Sequence, residues 1–176
     1  MTQEQANQVK ILKEQLLAAS NDWPRDVWSG EDHYAAFLEQ LLARAVGDRE
    51  IVLATATVIG RPRQDVSRFE AVMFTEHLIF SAGIDVPQAQ PNLRLGYPQS
   101  ADVAVIPRSA VKSVTLHDLH NFGQDGGDGP DIVGFTVTLD GHPPVVVNLP
   151  RWSRGSDGAH SRVFDSLVDG LARQGK

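Results

Sequence analysis

Val72-Met73-Phe74-Thr75-Glu76-His77-Leu78-Ile79-Phe80-Ser81 decides the fold. Two runs of large apolar residues meet at a three-residue polar joint, Thr75-Glu76-His77. Short runs rich in Phe, Ile and Val read as strands, and so tight a joint makes them antiparallel neighbours. The stretch therefore predicts strands over Phe69–Phe74 and Leu78–Ser81. Upstream, Ile51–Ile59 is an apolar, threonine-rich strand, and Gly60-Arg61-Pro62-Arg63-Gln64-Asp65 is a turn by composition. Downstream, Val103–Ile106 is a short strand stopped by Pro107, which has no N–H to give to a ladder. Val111–Leu116 follows and continues toward Leu119. Val133, Phe135, Val137 and Leu139 alternate with Gly134, Thr136, Thr138 and Asp140, the period of a half-buried strand. Asp140-Gly141 turns the chain into a last strand, Val145–Leu149.

Helices flank this β region. From Gln3 to Ala19, Ala6, Val9, Leu12, Leu16 and Leu17 share one face at 3.6 spacing and Ile11 falls off it. Ser20-Asn21-Asp22-Trp23-Pro24 stops that helix. A second runs from about Glu31 to Val46, with Tyr34, Leu38, Leu41, Leu42 and Ala45 as its stripe and Gly47 as its C-terminal cap. A third, from about His160 to Gln174, carries Val163, Phe164, Leu167, Val168 and Leu171. The parts before and after residue 47 each carry a net charge of −3, so charge marks no boundary there and only the change of period does. Two long connections remain. Residues 83–101, with Pro87, Pro91 and Pro98, read as a surface insertion, and residues 120–131, rich in Gly and Asp, as a flexible hairpin connection.

Composition narrows the function. The 176 residues hold 16 Lys+Arg against 22 Asp+Glu, a net charge of −6, which argues against general nucleic-acid binding. With zero Cys, disulfides, thiolate metal sites and Cys nucleophiles are excluded. No GxSxG elbow, phosphate-binding GxxxxGK[ST] loop or GxGxxG fingerprint occurs, and Asp125-Gly126-Gly127-Asp128 does not fit a calcium loop. The start, Met1-Thr2-Gln3-Glu4-Gln5, lacks the basic and apolar runs of a secretory leader, and no apolar run is long enough to cross a membrane as a helix. The expected compartment is the cytoplasm, and no cofactor is expected.

Seven strands followed by a helix is the element order of pleckstrin-homology (PH)-like folds. Val72–Ser81 resembles the strand-turn-strand hairpin of bacterial PH-like and GRAM-like domains, and Val105-Ile106-Pro107-Arg108-Ser109-Ala110-Val111-Lys112-Ser113-Val114 resembles their proline-broken strand pair. The likeness spans about residues 48–174. It implies an α+β protein: a PH-like seven-stranded antiparallel barrel (48–176) with a closing C-terminal helix, preceded by an N-terminal helical hairpin (1–47). Phe164 occupies the last helix where eukaryotic PH domains usually carry Trp. Glu70 stands where phosphoinositide-binding members carry a basic residue.

Candidate ligand-binding residues fall in two groups. Arg61, Arg63 and Arg68 cluster around the first inter-strand turn, and Arg151 and Arg154 flank Trp152. Guanidinium forks of either group suit an anionic headgroup or phosphate. Trp152 suits either a partner anchor or a plug for the open barrel end. His117 and His120 form a metal pair only if the strand ends between them, because residues three apart on a strand point to opposite faces. No catalytic set emerges, so the expectation is a non-catalytic binding or scaffolding module acting through protein contacts, as a homo-oligomer or with another protein. The alternatives are a peripheral module for anionic lipid headgroups and a small enzyme or metal site near His117 and His120. The helical hairpin is expected to dock on the strands of its own chain.

Overall fold

The computed structural model describes residues 3–26, 32–60, 66–87, 100–120, 131–148 and 159–174, with the backbone alone for 4, 118–120, 131–133 and 148. Three helices and seven strands follow the expected order: α1 (Gln3–Ala19), α2 (Asp32–Val46), β1 (Leu53–Gly60), β2 (Val66–Phe74), β3 (Leu78–Asp85), β4 (Ala101–Pro107), a 3-10 turn (Arg108–Ala110), β5 (Val111–His120), β6 (Asp131–Leu139), β7 (His142–Asn148) and α3 (Ala159–Gln174). The protein is α+β, with antiparallel meanders β1-β2-β3-β4 and β5-β6-β7. No helix among the described residues is long and apolar enough to cross a membrane.

The deciding hairpin closes as its residues dictate. The Thr75 N–H donates to the Leu78 carbonyl at 2.9 Å, and the Leu78 N–H donates to the Thr75 hydroxyl at 3.2 Å. Phe74 then pairs with Ile79 and Met73 with Phe80. Gly47 and Gly141 adopt φ of 64° and 69°, the left-handed conformation that favours glycine, where a helix ends and a hairpin turns.

The four-stranded sheet contributes buried residues from both faces. Phe69, Ala71 and Met73 of β2 and Phe80, Ala82 and Ile84 of β3 share one cluster with Leu12 and Leu16 of α1 and Tyr34, Leu38 and Leu42 of α2. The hairpin thus docks in cis on the outer face of the sheet. Ile11 stays half-exposed, as its phase requires. The other face contributes Leu53, Phe74, Ile79 and Ile106 to a second cluster, completed by Phe135, Val137 and Val147 of the three-stranded sheet and Val163 and Leu167 of α3. Rings link the layers: Phe135 lies 6.4 Å from Phe74 and 5.7 Å, edge-on, from Phe164.

Two expectations change. The expected barrel resolves into two sheets, of four and three strands, and no ladder joins β4 to β5 among the described residues. The cause is local: Pro107 offers no N–H, and the Arg108 N–H turns back to the His77 carbonyl at 2.9 Å, so the chain changes sheet through the 3-10 turn. The connection expected over 83–101 is also shorter. β3 continues through Gly83 and Ile84, paired on both sides, to Asp85, paired with Arg68 of β2, because Ile84 is a core residue. The remainder of that connection, residues 88–99, lies outside the described residues, as do residues 121–130 of the second.

Trp23, read in sequence only as part of a helix stop, is a core residue. It packs edge-on against Phe69 at 5.5 Å, and its indole N–H donates to Oε1 of Glu39 at 2.9 Å. Glu39 is buried on the inner side of α2, where burial pushes its carboxyl above the usual range while the Trp23 hydrogen bond and the Lys13 charge pull it back.

Candidate functional site

Of the six candidate binding residues, Arg61, Arg63, Arg151, Trp152 and Arg154 lie outside the described residues. Arg68 is described, and it is surrounded by acid. Its Nε donates to Glu70 at 2.7 Å, Nη1 to Asp85 at 2.6 Å, and Nη2 reaches Asp102 at 3.4 Å. Register builds this cluster: Arg68 pairs with Asp85, and Gly83 pairs with Glu70 on one side and Asp102 on the other. A Cβ on Gly83 would overlap the guanidinium, so the bare backbone there lets Arg68 lie across the sheet. The Asp85 and Glu70 hydrogen bonds raise the Arg68 pKa far above its ordinary value. The Ser100 hydroxyl, then Arg68, hold Asp85 below the usual carboxylate range. Three carboxylates around one cation leave the spot net negative, opposite to what an anion needs.

His117 is exposed on β5, its Nδ1 3.4 Å from the Thr136 hydroxyl on the neighbouring strand. The His120 side chain lies outside the described residues. Among the described residues no three His, Asp or Glu side chains are grouped so as to hold a metal ion.

A second arginine has the opposite surroundings. Arg108 stands at the head of the 3-10 turn, half-buried. Its Nη1 donates to the Ser166 hydroxyl of α3 at 2.9 Å, while its Nε is sealed from solvent with no acceptor. No carboxylate among the described residues comes within 4.0 Å of it. Burial therefore lowers its pKa, and the charge of Glu76 opposes this only in part. Guanidinium charge buried without a counter-ion is costly, and an anion supplied from outside relieves that cost.

Arg108 forms one wall of a groove of about 620 Å³ between α3, the 3-10 turn and the β2–β3 turn. The α3 wall is a single stripe at helical spacing: Arg162, Asp165, Ser166, Asp169, Gly170 and Arg173. Its middle is low because Ser166 and Gly170 are small, and a Cβ added at Gly170 would meet nothing within 4 Å. Gln174 Nε2 donates to the Ser109 carbonyl at 3.3 Å and ties the end of the helix to the turn. The period that makes the apolar stripe of α3 legible in sequence writes this polar one as well, but nothing in the sequence places Arg108 beside it. A smaller hollow of about 430 Å³ opens between the sheets, lined by Thr55, Thr57, Val72 and Ser81 and rimmed by Arg68, Glu70 and Asp102.

These features define an α+β protein of two antiparallel sheets whose most distinctive polar feature is a groove along its last helix. Comparison with protein-family models, with curated proteins and with solved structures returns no significant match for this chain.

Proposed function

We propose that this chain is a non-catalytic binding module that works through protein contacts, with the α3 groove as its docking face and a PH-like or GRAM-like fold as its scaffold. The PH-like reading is supported by the element order, by the division of seven strands into four and three, and by a last helix packed against the second sheet. One observation carries the functional reading: a half-buried guanidinium, Arg108, ion-paired with no carboxylate among the described residues, facing an open groove. Folding alone leaves that residue incompletely paired, and a partner completes it. The groove carries Arg108, Arg162 and Arg173 against Glu76, Asp165 and Asp169. Mixed charge of this kind suits a protein surface, whereas anionic membranes select a largely basic face. The lipid-headgroup reading draws less support, because Arg68 is occupied by three carboxylates.

The test is site-specific photo-crosslinking in the native host. A crosslinker is placed at Ser109 or Asp169, with Ser113 on the far side of β5 as control. Discrete adducts at the two groove positions, absent at Ser113 and lost on Arg108→Met, are expected. The same adduct pattern at all three positions, or one indifferent to Arg108→Met, refutes the reading.

A further inference from the structure

We infer that the groove takes an acidic peptide segment of the partner, whose Asp or Glu carboxylate pairs with Arg108. This deepens the protein-contact reading and rests on it. Three observations select the ligand.

The first is valence. Arg108 has one Nη1 N–H committed to Ser166 and its Nε sealed, which leaves the remaining Nη1 N–H and those of Nη2 for a ligand. A single guanidinium charge, offset only in part by Glu76, fits a monoanion. Glu76, Asp165 and Asp169 line the same groove, and their negative charge repels a phosphate dianion more than a single carboxylate.

The second is shape. From Arg162 to Arg173 the α3 stripe runs about 16 Å, at 1.5 Å rise per residue. An extended peptide of about five residues spans that length. The low floor at Ser166 and Gly170 admits a main chain, and the volume of about 620 Å³ exceeds what a free ion fills.

The third is contrast within the molecule. Arg68 shows how this fold satisfies an arginine meant to stay at home: three carboxylates converge on it from its own strand and two others. Arg108 gets a hydroxyl instead. Asp165 and Asp169 project from the same helix as Ser166, yet neither pairs with it.

The experiment is an NMR titration of the full chain, following the backbone amides of residues 162–174 and the arginine Nε–H signals. The sealed Nε–H of Arg108 exchanges slowly and is observable. The probes are the blocked peptide Ac-Gly-Gly-Glu-Gly-NH2, its Gln counterpart, inorganic phosphate and phosphatidylserine vesicles. A saturable shift at Arg108 and along α3 with the Glu peptide, absent with Gln, is expected. Arg108→Met weakens binding tenfold or more, the usual worth of one charge-assisted hydrogen bond. Gly170→Leu fills the floor and abolishes binding while the thermal midpoint holds or rises, because leucine is the better helix former and its side chain enters open space. That rise separates a blocked groove from a damaged fold.

Equal shifts with Glu and Gln peptides overturn the inference, since chain is then bound without regard to charge. Shifts with phosphate or vesicles but not with the Glu peptide overturn the carboxylate assignment. Crosslinks at Ser109 and Asp169 that persist alongside such a result keep the docking face and discard only its ligand. Silence from every probe, with no groove crosslinks, removes both.

Discussion

Acidification should destabilise this protein in good part through a buried histidine, His160. It lies in the first turn of α3, 5% exposed, and neither ring nitrogen has a hydrogen-bond partner among the described residues. Burial lowers its pKa from 6.5 to about 4. The unfolded chain therefore takes up a proton near pH 6.5 while the folded chain resists until about pH 4. Stability is constant above the first value and falls as pH drops toward the second. At 1.36 kcal/mol per unit, the whole window is worth about 3 kcal/mol, of which about 2 kcal/mol is lost by pH 5. Urea unfolding at pH 7.5, 6 and 5, read by tryptophan fluorescence, to which buried Trp23 contributes, measures this directly. With a slope of roughly 2 kcal/mol per molar, the midpoint should fall by about 1 M between the first and last conditions. Other groups titrate too, and Glu39, whose raised pKa favours folding as pH falls, works in the opposite direction. The decisive quantity is therefore the difference from His160→Leu, which removes the titration and both unpaired atoms. That variant should match or exceed wild-type stability at pH 7.5 and lose about 2 kcal/mol less by pH 5. Parallel decline of the two proteins would show that His160 carries no part of the acid sensitivity and that the burial argument is wrong.

Three further outcomes are expected. Glu39→Gln keeps an acceptor for the Trp23 indole and removes a buried charge, so it should hold or raise the urea midpoint at neutral pH; Glu39→Ala strands the indole N–H and should cost about 1–3 kcal/mol. Gly83→Ala should push the Arg68 guanidinium off the sheet and leave Glu70, Asp85 and Asp102 less compensated. Its thermal midpoint should fall at low salt and recover at high salt more than that of wild type, because salt screens the exposed carboxylates. Phe135→Ala empties the contact between Phe74 and Phe164 and should cost about 3–5 kcal/mol, whereas Val146→Ala, 53% exposed on the neighbouring strand, should stay within about 0.5 kcal/mol by denaturant titration.

Much of the fold was legible because its causes are local. Alternation in Val133–Leu139, the helical stripes around Leu12, Leu38 and Leu167, the stop at Pro107 and the turns at Gly47 and Gly141 follow from backbone geometry within a few residues of each signal. Where local patterns failed, tertiary pairing had intervened. β3 outran its apolar pattern because Gly83 and Ile84 are held by neighbours on both sides, and β7 admits Pro143 and Pro144 because it is an edge strand.

The candidate site obeys the second kind of cause. In sequence Arg68 and Arg108 are two arginines, distinguished only by the basic cluster around the first. Their roles are separated by residues far along the chain: Asp85 and Asp102 lie 17 and 34 positions from Arg68, and Ser166 lies 58 from Arg108. A charge responds to what stands within a few ångströms of it, and only folding decides that. The sequence by itself therefore determined the elements, their order and their buried faces. The tertiary structure decided which arginine is satisfied and which still faces an open groove.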